Sequence, residues 1–233
     1  MRHVTALSTA TLLAIATAIS VPAAQTAQES NGWTTTFDLE PGELVSTGRN
    51  PYFILEPGYQ LTLEDGKDRL VITVLNETKV VAGVETRIVE ERETSSAEMV
   101  EVSRNFFAIS KRTNSVFYFG EEVDEYKNGK IASHGGAWQA GVNGAKFGLM
   151  MPGQPLIKAR YYQEIAPKVA MDRAEILSLS VSMKTPAGDF SNVLKTEETS
   201  PLEPIVHEAK YYARGIGLIQ DGSMTLVKYG QVK

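Results

Sequence analysis

The 233-residue chain has no cysteine, three histidines and two tryptophans. Without thiols there is no disulfide framework, thiolate metal site, cysteine-linked haem, redox dithiol or lipidated N-terminal cysteine. Burial and hydrogen bonding alone must hold the fold. Only His134 and His207 lie beyond residue 3, and no HExxH occurs. A zinc hydrolase would want about three nitrogen or oxygen ligands around an open position, which this inventory does not offer. There is no GxSxG elbow, and no GK[ST] follows the glycines of residues 141–148, so neither an α/β-hydrolase nucleophile nor a phosphate loop is present. Gly215-Ile216-Gly217 alone carries no phosphate signal. Basic clusters are also missing. With 28 carboxylates and a formal charge of −5, the chain is a poor partner for nucleic acid or for an anionic membrane surface.

What is present begins with an address. Arg2 and His3 precede an apolar run over residues 12–21, and Val21, Pro22, Ala23 and Ala24 stand before a polar stretch. This is the layout of a secretory signal peptide over residues 1–23, cleaved after Ala23 or Ala24. The run is short for a bilayer span and has no second copy, so stable membrane insertion is not expected. The product is expected to be exported, to the periplasm or the medium. Residues 24–49 read as a partly irregular N-terminal segment and residues 50–233 as a single β-rich domain.

The domain's patterning is mostly period-two. Leu177, Leu179, Val181 and Met183 alternate with serines and Lys184, as in a half-buried strand, and LVITVL (70–75) reads as a strand covered on both faces. Val100, Val102, Phe106 and Ala108 share one face of a further strand, with Arg104 on the same side. Asn128-Gly129 is a strong hairpin signal, and Asp65-Gly66 and Asp221-Gly222 are similar. Residues 40–46 and 167–174 are the best candidates for short helices. Residues 135–155 carry six glycines among Trp138, Phe147, Met150 and Met151, a pattern expected of an ordered loop packed over the sheet. The fold class is therefore mainly β: a curved antiparallel sheet or incompletely closed barrel with few short helices.

Several segments together carry a resemblance: VFYFGEEVDEYKNGK (116–130), SHGGAWQAGVNGAKFGLMMPG (133–153), TPAGDF (185–190), TSPLEP (199–204) and KYYARGIGLI (210–219). The chain resembles an uncharacterised family of exported bacterial proteins over roughly residues 50–228, nearly all of the expected mature chain. The TPAG-F and YY--G-GL pieces are similar to those of periplasmic β proteins with a half-barrel like the LolA lipoprotein carrier. The resemblance implies a strongly bent antiparallel sheet with an apolar hollow and supplies no activity. Phe147, Met171 and Gly135 depart from the family's pattern, the last two at positions where a carboxylate is usual.

The residues that could carry chemistry fall into three sets. His134 ends a strand and opens the glycine-rich stretch, and pairing across Asn128-Gly129 brings it diagonal to Asp124. With Glu121 these could hold a divalent ion, the one cofactor the residues suggest, or relay protons; they could equally be a strand-end hydrogen bond. Glu164, Asp172 and Glu175 form an acidic set that could act as acid and base, coordinate calcium through oxygen, or simply pair with Arg160 and Arg173. The aromatic and methionine inventory, with Trp138, Phe119, Met150, Met151, Tyr161 and Tyr211 facing inward, could line an apolar cavity or pack the core. The expected function is an exported binding or accessory protein holding a small apolar or amphipathic molecule. The alternatives are an exported hydrolase, lyase or isomerase built on His134, Asp124, Glu164 and Asp172, and an envelope interaction domain. The oligomeric state is not legible.

Overall fold

The computed structural model describes residues 32–40 and 42–232, so the expected leader over residues 1–23 lies outside the described residues. Among the described residues there are eighteen strands and no helix. Three short strands come first: β1 (Leu44–Val45), β2 (Gly48–Asn50) and β3 (Phe53–Leu55). A meander of long strands follows, β4 (Tyr59–Asp65), β5 (Asp68–Val81), β6 (Val84–Ser95), β7 (Glu98–Ser110) and β8 (Val116–Lys127). Five short pieces come next: β9 (Lys130–Ser133), β10 (Trp138–Gln139), β11 (Lys146–Met151), β12 (Arg160–Tyr162) and β13 (Glu164–Ile165). A second meander ends the chain: β14 (Arg173–Thr185), β15 (Gly188–Ser200), β16 (Glu203–Ala213), β17 (Gly217–Asp221) and β18 (Met224–Gln231). No helix among the described residues is long and apolar enough to cross a membrane.

Pairing of β18 with β4 joins the two meanders into one antiparallel sheet that curls until its edges meet. The edge strands β12 and β13 are separated by Gln163 alone, one bonding to β14 and the other to β11. The result is a nearly closed barrel with one unsealed seam, between β11 and β12. Beside that seam the N-terminal segment adds a parallel bridge from Thr34 to Tyr161, with Thr34 N–H donating to Arg160 O at 2.9 Å and Tyr162 N–H to Thr34 O at 3.0 Å. Gly148 is required there, because a Cβ on it would lie 2.3 Å from Gln163 O.

The hairpin β2–β3 forms a separate two-stranded sheet whose Tyr52, Ile54 and Leu55 are buried in the main core. Asn50 pins it: its amide donates to Asn114 O at 2.8 Å and Pro152 O at 3.0 Å, and its Oδ1 accepts from Tyr52 N–H. A second aromatic group, Phe37, Phe117, Phe119 and Phe147, packs the N-terminal segment onto the sheet.

Two local expectations change. Residues 135–155 are not wholly a loop: β10 and β11 lie within them and pair with β8. The glycines sit where backbones crowd, at Gly148, or where φ is positive, at Gly141 and Gly144, so they permit the strand. The pieces expected to be helical are a turn leading into β1, and a turn with an Ala166–Ala170 bridge leading into β14.

Candidate ligand site

Side chains on a strand alternate between faces, and here several inward rows begin apolar and end charged. On β6 the row runs from Val89 to Glu91 and Glu93. On β16, Tyr212 is followed two residues back by Lys210, and on β15, Leu194 leads through Thr196 to Glu198. Cross-strand register then sets carboxylates side by side: Glu93 opposite Glu101, and Glu101 opposite Glu125. Like charges in such positions are destabilising.

Where the apolar and charged rows meet there is a cavity of about 80 Å³. Its apolar wall includes Ile54, Leu61, Ile72, Val89, Met150 and Leu218, and its polar end is Glu91, Lys210, Tyr212 and Asp221. Lys210 Nζ lies 3.1 Å from Glu198 Oε2 and 3.4 Å from Asp221 Oδ2. These carboxylates outweigh the burial of the ammonium and raise its pKa. Burial pushes the Glu91 carboxyl up to about 7, although Lys210 pulls the other way. Glu93 and Glu101 are raised too, first by burial and then by neighbouring carboxylates.

A second polar group lies toward the seam. Glu121 sits opposite Trp138 and Asn105 in register, and burial pushes its carboxyl up to about 7 against the opposing pull of the Tyr118 hydroxyl. Tyr118 itself donates to Asn105 Oδ1 and packs edge-on against Trp138. Glu164 is 6% exposed. Its carboxyl is raised well above the usual range by burial, then by Glu121 and Asp172. The Trp138 indole N–H faces that carboxyl and favours its charged form, but without full hydrogen-bond geometry: Trp138 Nε1 and Glu164 Oε2 both lack a partner. Tyr161 OH and Gln163 Oε1 are buried and unpartnered as well. The Gln163 amide nitrogen donates to Glu198 Oε1 at 3.0 Å and touches Met150 Sδ at 3.6 Å, so this group adjoins the cavity wall.

The residues singled out from the sequence are divided by this arrangement. His134 and Asp124 do meet, Nδ1 to Oδ1 at 2.8 Å, after a bulge between Glu125 and Tyr126 shifts the hairpin register. The imidazole side chain is 69% exposed and also contacts Val123 O at 2.9 Å. It stands apart from Glu121, which faces inward. Among the described residues no three His, Asp or Glu side chains are arranged to hold a metal ion. Glu164 and Asp172 do act on one another, whereas Glu175 is held by Arg160 at 2.7 Å. Of the aromatic and methionine set, Met150 lines the cavity and Trp138 flanks Glu164. Phe119 stacks on Phe147, Met151 is core, and Tyr161 packs with Ala174 and Ile176. At the Tyr211-Tyr212 pair it is Tyr212 that faces the cavity, while Tyr211 lies under Lys195.

Glu91, Glu198, Lys210 and Asp221 were not among the residues singled out. Glu91, Glu198 and Lys210 sit in polar or charged stretches that read as surface, and Asp221 in a turn signal with Gly222. The signal was parity: Glu91 lies two residues from Val89, and Lys210 two from Tyr212, on the side that carries the apolar residues. No protein-family model, curated protein or solved structure matches the chain.

Proposed function

We propose that this is an exported binding protein that holds a small amphipathic molecule inside a β-barrel of the half-barrel carrier type. The observation that carries the reading is the cavity itself, apolar along one wall and charged at one end, with unpartnered buried polar atoms beside it. Buried polar atoms normally have partners, and a bound molecule would supply them. Size narrows the guest. An apolar cavity of about 150 Å³ accepts benzene, so about 80 Å³ accommodates a short apolar arm, with the rest of the molecule toward the charged end.

Native mass spectrometry of freshly purified protein tests this. Co-purifying mass lost on denaturation is the expected result. A clean apoprotein that also ignores short-chain alcohols, amines and acids in ligand-observed NMR would end the proposal.

A further inference from the structure

Resting on that reading, we propose that the ligand is a cationic amphiphile: a protonated amine seated among Glu164, Gln163, Glu121 and Asp172, with its apolar arm passing Met150 into the cavity. Three unpartnered polar groups here, Glu164 Oε2, Gln163 Oε1 and Tyr161 OH, can accept hydrogen bonds. Their residues are 6%, 4% and 3% exposed, so bulk water does not satisfy them. Of the unpartnered donors beside them, the Tyr161 hydroxyl can donate as well as accept, and Trp138 Nε1 already faces Glu164. The nearest interior cation, Lys210, is engaged by Glu198 and Asp221. What remains is a surplus of acceptors around carboxyls that burial and mutual repulsion keep raised in pKa, and a cation beside them would draw them into the charged form. An ammonium supplies what is missing: three N–H donors and one positive charge. An anionic head would meet carboxylates on every side, and a hydroxyl would supply one donor and no charge.

The approach is marked in the same way. A cleft of about 180 Å³ lined by Asp172, Glu198, Glu203 and Glu208 reaches Lys210, which also lines the cavity. Nearby, Glu93, Glu101 and Glu125 form an unbroken acidic row across three strands. A concave surface of one sign concentrates counter-ions. Among the described residues no group of side chains is placed to chelate a metal, which favours a larger, softer cation over a bare divalent ion.

The test uses hexylamine, hexanol and hexanoate as probes of equal chain length, titrated at pH 8 with the full protein and followed by ligand-observed NMR. Hexylammonium should bind at least tenfold tighter than either of the others. Glu164→Gln and Glu121→Gln should each erase most of that preference while leaving hexanol unchanged. Should one variant fail to fold, the wild-type preference and the other variant still decide. Hexanol or hexanoate binding as tightly as the amine would overturn the inference and leave the cavity reading standing. A preference for the amine that survives both substitutions would overturn the assigned seat. Failure of all three probes, with no co-purifying mass, would overturn both readings.

Discussion

Replacing Glu91 with glutamine should stabilise the protein, and only at neutral to alkaline pH. The carboxyl moves from an ordinary value of 4.5 in the unfolded chain to about 7 in the barrel, chiefly through burial. Because its folded value is the higher one, the folded state holds the extra proton between those two values. Stability therefore falls as pH rises through this window. At about 1.4 kcal/mol per unit, the charged carboxylate costs roughly 3 kcal/mol at pH 8 and under about 1 kcal/mol at pH 5, where it is mostly protonated. Glutamine keeps the shape and cannot ionise. The stability gained by Glu91→Gln over wild type should thus grow by about 2–3 kcal/mol between pH 5 and pH 8, equivalent to roughly 5–10 °C in Tm for a domain of this size. Thermal and urea unfolding of both proteins at the two pH values measure it, and taking variant against wild type removes the titration of every other group not coupled to this one. A gain that is the same at both pH values, or a variant less stable than wild type at pH 8, would refute the assignment of Glu91 to a desolvated interior position.

Other outcomes follow from the same structure. Lys210→Met should cost about 3 kcal/mol, since it leaves the largely shielded Glu198 and Asp221 carboxylates without their cation; urea titration of the variant against wild type measures it. Gly148→Ala should destabilise by about 1–3 kcal/mol or more, because the added Cβ must displace the Gln163 carbonyl, and amide exchange should rise first in β11 and β13. His134→Ala should change stability by less than about 1 kcal/mol, as expected of an exposed pair, and should leave probe binding unaltered by NMR.

The sheet was readable in the sequence because alternation is a local signal. The 177–183 pattern falls in β14, the 70–75 run in β5, and the Asn128-Gly129 turn takes φ of 53° and 71°. The match is partial: Leu177 is exposed beside a bulge, and of the 70–75 run only Leu70 and Val74 are fully buried. Other turns were invisible. Ser96-Ala97 takes φ of 52° and 67°, with residues that carry no turn preference, so strand pairing on both sides imposes it. The strand β11 was hidden by its own glycines, whose purpose at Gly148 is to let another backbone pass, a tertiary fact without local trace. The interior charges were hidden differently. Glu91 stands in the run Glu90–Glu93, Lys210 follows a polar stretch on its strand, Glu198 follows Glu197, and Asp221 reads as half of a turn with Gly222. Only the closing of the sheet turns one member of each run inward. His134 drew attention by scarcity, and scarcity says nothing about which way a side chain points.

The joining of β4 to β18 carries a consequence for how the molecule is made. Residues 59–65 must find residues 224–231, whereas every other long pairing links strands that follow closely in the chain. Each meander can therefore zip up by itself as successive hairpins, but neither half can close alone. The costly event in assembly is this single long-range docking, since loop-closure entropy is spent before its contacts are gained. A chain still emerging from its site of synthesis would hold an open, acid-lined gutter until residues 224–231 arrive.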